Sequence, residues 1–128
     1  MAISGVTNEI IAVKESNMTV RQLAEELGFR VFSGTTNLEN KITGGYVSDL
    51  LSDVMGHAQE GGVWITLQSH VNVVAIASLK ELAAIVLVKG IKPAEQVLEK
   101  AREVGVPILG TNEETFETAG RLYQMLNR

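Results

Sequence analysis

No cysteine occurs among the 128 residues of this chain. That excludes disulfides, thiolate nucleophiles, cysteine-ligated metals and iron–sulfur clusters held by the chain itself. Aromatic residues are scarce, at 5% with a single Trp64, so the core has to be built from Val, Ile, Leu and Ala. An excess of positive charge is also missing: 15 acidic against 11 basic residues leave a net charge of −4 and a pI near 5.2. A general nucleic-acid binder ordinarily carries a basic face, so no nucleic-acid partner is expected. No apolar run reaches the length that crosses a bilayer, and the N-terminus lacks the charged-then-apolar pattern of a signal peptide. These absences point to a cytoplasmic protein without a membrane partner. The phosphate-wrapping string Gly-x-x-x-x-Gly-Lys-Ser/Thr and the eukaryotic kinase signatures are absent too, which argues against phosphotransfer.

What is present suits one globular domain. The hydrophobic fraction is 45% and the charged fraction 20%, well away from the composition of disordered chains. At this length folding buries about two-thirds of the unfolded surface. The apolar stretch 3–13 has no clean period, and residues 10–13 read as a short strand or part of a helix. Thr19 and Gln22 have capping-box spacing, and Val20, Leu23, Ala24 and Leu27 then share one helical face before Gly28 ends it. Residues 29–32 read as a strand, turned by Ser33-Gly34, with a second extended piece over 38–43. Ser48 is placed to cap a helix carrying Leu50, Leu51, Val54 and Met55. After the Gly61-Gly62 turn, residues 63–67 form a short β-branched strand. Ser69 is placed to cap a helix over 71–82 whose apolar residues nearly encircle it, which predicts burial. Residues 85–88 are an unbroken apolar run, as in a parallel strand covered on both faces. Pro93 suits the first turn of a helix with Val97, Leu98, Ala101 and Val104 inward, ended by Gly105. Residues 106–109 read as a strand. Thr111 to Glu114 repeats the capping-box spacing before a last helix with Phe116, Ala119, Leu122, Tyr123 and Leu126. From Val63 the order β-α-β-α-β-α implies a parallel sheet with right-handed crossovers.

Two places suit a ligand. Thr43-Gly44-Gly45 runs toward Ser48, and paired glycines can take positive φ and expose amides to an anion at the following helix start. The same residues can equally make a tight turn with Ser48 as a plain cap. Gln68-Ser69-His70-Val71-Asn72 follows a strong strand, where parallel α/β sheets bind ligands. There His70 and Asn72 either contact a ligand or bond to nearby backbone. Gly110-Thr111-Asn112 stands at the equivalent end of a later strand and is placed to join the same crevice. His57 reads as a surface residue near a helix end. With His70 it gives no recognisable metal spacing, so no metal is expected. Asp49 and Asp53 read as one solvated helix face. Residues 20–28 look like the start of a helix-turn-helix, but a strand follows where a basic recognition helix would stand.

Three separated blocks carry a resemblance. They are Gly44-Gly45-Tyr46-Val47-Ser48-Asp49-Leu50-Leu51-Ser52-Asp53-Val54-Met55, Ile65-Thr66-Leu67-Gln68-Ser69-His70-Val71-Asn72-Val73-Val74-Ala75, and Thr115-Phe116-Glu117-Thr118-Ala119-Gly120. In this order they resemble the DRTGG domain, most like small stand-alone members found in anaerobes near iron-only hydrogenase genes. The likeness spans roughly residues 19–126. The signature is matched in part: Thr43-Gly44-Gly45 is present, with Lys41 and Ile42 where Asp and Arg would be. The domain is similar to the N-terminal domain of the kinase that phosphorylates the phosphocarrier HPr, and the resemblance implies a regulatory or assembly module; the missing phosphate-wrapping string argues against kinase chemistry.

Together these readings predict one α/β domain over residues 18–128 behind an N-terminal extension 1–17. Its sheet is expected to be mostly parallel and flanked by helices, with a small extra β element near residues 29–43. The expected function is non-catalytic regulation through a small anionic ligand, a nucleotide among the candidates, or a protein partner. The expected ligand residues are Thr43, Gly44, Gly45, Ser48, His70 and Asn72, with no catalytic residue and no cofactor. A homodimer is expected. The alternative is a structural or assembly subunit of a redox or hydrogenase system. A ligand binder should show a polar crevice near Gly44 and His70, and a scaffold a broad exposed apolar patch.

Overall fold

The computed structural model describes residues 17–128. The stretch 3–13, and the proposed extension but for residue 17, lie outside the described residues. Helix α1 (Val20–Leu27) starts from the predicted capping box: the Gln22 amide donates to Thr19 Oγ1 at 3.2 Å and the Thr19 amide to Gln22 Oε1 at 2.9 Å. Gly28 ends it in the left-handed conformation, φ 72°. Then follow β1 (Arg30–Val31), β2 (Gly44–Val47), α2 (Leu51–His57), β3 (Gly62–Thr66), α3 (Val71–Leu79), β4 (Ala84–Leu87), α4 (Glu95–Val104), β5 (Ile108–Gly110) and α5 (Thr115–Leu126).

The five strands form one sheet in the order β1-β5-β4-β3-β2. Strands β2 to β5 are parallel, and β1 pairs antiparallel with β5, Arg30 opposite Gly110. Every residue of β3 and β4 is buried, as the unbroken apolar runs required. Alternate side chains supply two cores. Val63, Ile65, Val86 and Leu109 pack with Val20 and Leu23 of α1 and Leu122 and Met125 of α5. Trp64, Ile85, Leu87 and Ile108 pack on the other face with Val54 of α2, Val73 and Val74 of α3, and Val97 of α4. The three β-α-β crossovers therefore share one face, and the chain returns to the α1 face on leaving β5.

The segment at Gly44 departs from expectation. It is a strand, not a tight turn: Gly44 pairs with Gly62 and Gly45 with Val63, and neither glycine has a positive φ. Glycine serves close packing here. A Cβ on Gly45 would stand 2.9 Å from Leu122 Cδ2, so α5 seats directly on the strand, whereas a Cβ on Gly44 would meet nothing. Helix α2 then begins two residues later than predicted. Its N-cap is Leu50, and Ser48 Oγ instead accepts the Leu50 amide at 3.1 Å. Asp49 consequently precedes the helix and shares no face with Asp53. It accepts the Thr66 hydroxyl at 2.8 Å and the Leu67 amide at 2.7 Å, closing the end of β3.

Smaller differences have similar causes. The cap of α3 is His70, whose Nδ1 accepts the Asn72 amide at 3.2 Å, in place of Ser69. That helix ends at Leu79, which is 71% exposed, so it is buried on one side only. Pro93 precedes the N-cap Ala94 of α4. The expected capping box before α5 is absent. Thr111 Oγ1 accepts the Glu113 amide at 3.1 Å, and Glu114 caps without a side-chain bond. In the 38–43 segment the extended pairing reduces to one bridge, Thr19 with Lys41.

Strand β2 is tied to α2 by the Tyr46 hydroxyl, which donates to Asp53 Oδ2 at 2.8 Å. This bond, the Ser48 hydroxyl and the neighbouring His57 hold the Asp53 carboxyl below the usual aspartate range. A carboxyl with a depressed folded value adds stability above its unfolded value and loses it as pH falls through the folded one. The stability gap between wild type and Asp53→Asn should therefore close on acidification below the ordinary aspartate range, followed by urea unfolding at a series of pH values. In the same assay at neutral pH, Gly45→Val should cost about 1–3 kcal/mol through overpacking. Gly44→Ala should stay within about 0.5 kcal/mol, because it meets open space.

Candidate functional site

The fold separates the residues expected to bind a ligand. Thr43 and Gly44 stand at the amino end of β2. The Thr43 amide donates to the Gly61 carbonyl at 2.9 Å and its hydroxyl to the Glu60 carbonyl at 2.7 Å. A Cβ on Gly61 would lie 2.7 Å from Thr43 Oγ1. The Thr-Gly-Gly string thus locks β2 onto the turn that opens β3 and lets α5 approach. Ser48, His70 and Asn72 lie at the other, carboxyl end, a strand length of about 13 Å away. There the Trp64 indole donates to the Ser48 carbonyl at 2.8 Å, and Asp49 fills the gap between strands. The void beside His70 measures about 10 Å³, the lower limit for a single water. Gly44 and His70 share no crevice.

A crevice of about 360 Å³ opens instead beyond the carboxyl ends of β4 and β5. Its cause is topological. The loop after β4 leads to α4 on one face of the sheet, and the loop after β5 leads to α5 on the other. Where adjacent connections part in this way, an α/β sheet leaves its ligand crevice. The two loops are held together at their bases. The Gly90 amide donates to the Thr111 carbonyl at 2.9 Å and the Lys89 amide to the Glu113 carbonyl at 2.8 Å. Lys89 and Gly90 take φ of 60° and 72° to make that bend. Gly110-Thr111-Asn112 lines this crevice, which does not include His70, and not the shared one that was expected.

Strand β1 supplies the wall. The Phe32 ring rests on Gly110, where any Cβ would collide with it. The Arg30 guanidinium lies over that ring, 5.7 Å from its centroid. Four of the five arginines are paired with carboxylates: Arg21 with Glu39, Arg102 with Glu95, Arg121 with Glu113, and Arg128 with Glu26. Arg30 has no carboxylate partner among the described residues. Arg121 also lines the crevice, and its second nitrogen donates to the Leu27 carbonyl at 2.9 Å. A stacked, uncompensated guanidinium on a rigid loop base can take an anion without first breaking an ion pair. Sequence reasoning passed over Arg30 because it sits within no motif, in a stretch read only as a strand over 29–32. Its spacing from Phe32, i and i+2 with Phe32 directly after β1, is the one local hint.

Two further concavities lie among the described residues. An open groove of about 740 Å³ at the amino ends of the strands carries charges of both signs, Lys41, Glu60 and Glu81 among them. A small apolar groove of about 160 Å³ lies between β2 and α5 and is bordered by Val47 and Tyr123. Among the described residues no group of three His, Asp or Glu side chains is placed to hold a metal ion. No helix there is long and apolar enough to cross a membrane.

No curated protein matches the chain. Its fold matches the crystal structure of the CBS and DRTGG domains of the regulatory region of Clostridium perfringens pyrophosphatase, complexed with the activator diadenosine tetraphosphate. The TM-score is 0.62 at 16% identity, over 88% of this chain and 48% of that one. The chain thus spans about half the length of that regulatory region. The DRTGG domain family matches residues 22–125. With that match over most of its length, the chain belongs to the DRTGG domain family.

Proposed function

We propose that this DRTGG domain is a non-catalytic regulatory module that holds a small anionic ligand in the crevice between the ends of β4 and β5. The observation that carries the proposal is Arg30, stacked on Phe32 at the crevice wall without a carboxylate partner. The volume falls within the usual range of ligand pockets, about 300–1,000 Å³. The pyrophosphatase regulatory region of similar fold, complexed with a nucleotide activator, supports a regulatory role. Ligand binding to the loops after β4 and β5 would act on α5, whose first turn follows directly from the crevice.

A second reading is assembly. The edge strand β2 carries no charge along Gly44–Val47, so it lacks the usual guard against pairing with another strand. Val47 on it and Leu50 just after it are exposed, at 47% and 64%, and Tyr123, which borders the groove between β2 and α5, is 69% exposed. This face is suited to a second copy of the chain, or to a partner in a redox or hydrogenase system of the kind that the resemblance implies.

The two readings have separate tests. Isothermal titration with pyrophosphate should show binding that Arg30→Ala weakens about tenfold or more, the scale of one charged hydrogen bond. His70→Ala should leave it unchanged. Equal loss in both variants, or none in either, would sink the crevice proposal. For assembly, sedimentation velocity should find a dimer that Tyr123→Glu converts to monomer, and a monomeric wild type would exclude self-association.

A further inference from the structure

An anion held at Arg30 occupies little of the crevice. About 360 Å³ equals roughly a dozen waters at bulk density, so the ligand has a body as well as a charge. The walls say what kind of body. Leu27 and Ile91 present apolar surface, and Gly28, Gly90 and Gly110 leave the backbone bare. The main-chain amides at the base are spent on one another: Lys89, Gly90 and Thr111 donate to Glu113, Thr111 and Leu87 carbonyls. Glu113 and Arg121 line the crevice too and are paired with each other. One polar side chain besides Arg30 is uncommitted. The Asn112 carboxamide makes no side-chain hydrogen bond to the described residues, and its Oδ1 lies close over Gly90, 3.1 Å from where a Cβ would stand. A carboxamide offers a donor and an acceptor side by side, the pair that matches the edge of a nucleobase.

We propose that the ligand of this crevice is a nucleoside phosphate, with its phosphate on Arg30 and its base against Ile91 and Leu27, read at the edge by Asn112. The proposal rests on the reading of the crevice as the anion site and adds the class of ligand to it. The test is calorimetric titration of the whole chain with pyrophosphate, ribose 5-phosphate and a panel of AMP, ADP, GMP, GDP, CMP and UMP. The same titrations are run on Arg30→Ala and Asn112→Ala, with circular dichroism to establish that both variants fold. At least one nucleotide should bind about tenfold or more tighter than ribose 5-phosphate, the scale of one well-made base contact. Arg30→Ala should weaken every phosphate compound, and Asn112→Ala the nucleotides alone. If pyrophosphate and ribose 5-phosphate bind as tightly as any nucleotide and still depend on Arg30, the anion site stands and the nucleotide class falls. Nucleotide binding that Asn112→Ala leaves untouched also overturns the proposal. If no phosphate compound binds, or binding ignores Arg30→Ala, the site falls with it.

Discussion

The two apolar faces of β3 and β4 impose the architecture. Every residue of Gly62–Thr66 and Ala84–Leu87 is buried, so helices must cover both sides of the sheet. Right-handed crossovers place α2, α3 and α4 on the same side. The opposite side is left to α1 and α5, and the chain returns to it by turning the other way after β5. That turn parts the loops after β4 and β5. The crevice is therefore a consequence of covering the sheet, before any question of ligand arises. The same requirement explains Gly45: a helix crossing from the end of β5 toward the far edge must lie on β2, and a side chain there would hold Leu122 away.

Within that crevice the electrostatics are local. The chain is acidic overall, and most of its arginines are neutralised at the surface. Arg30 is held by an aromatic ring that is itself seated on a glycine. A guanidinium so placed has lost part of its freedom before a ligand arrives, which lowers the entropic cost of binding. The polar residues at the end of β3 are arranged in the opposite sense. Asp49, Thr66, Ser48 and Trp64 satisfy one another and leave about 10 Å³ beside His70. One strand end is closed by its own hydrogen bonds, and the other is open with two polar side chains uncommitted.

Most of the fold could be read from the sequence, because its signals are strong and local. The capping box of Thr19 and Gln22, the apolar runs of β3 and β4, and the stop glycines Gly28 and Gly105 all stand where periodicity and cap chemistry put them. The strand at Gly44–Val47 was missed because two of its four residues are glycine, whose strand propensity is poor. Its reason for being extended lies in Leu122, seventy-seven residues away from Gly45. The site was legible only in part. The rule that α/β sheets bind ligands beyond strand ends drew attention to Gly110, Thr111 and Asn112, which line the crevice. It could not choose between strand ends, because that choice depends on which face each helix covers. Arg30 takes its place at the crevice from the antiparallel pairing that brings β1 beside β5, which no local pattern announces.

The most direct measurement is backbone-resolved NMR of the labelled protein during titration with ADP, the Arg30 side-chain signal included. A crevice that works as the ligand site predicts shift changes concentrated at Arg30, Gly90, Gly110 and Asn112, fading toward the far edge of the sheet. Changes centred on Ser48, His70 and Asn72, or on Thr43 and Gly44, would contradict it and move the site to the end of β3 or to the groove at the amino ends of the strands.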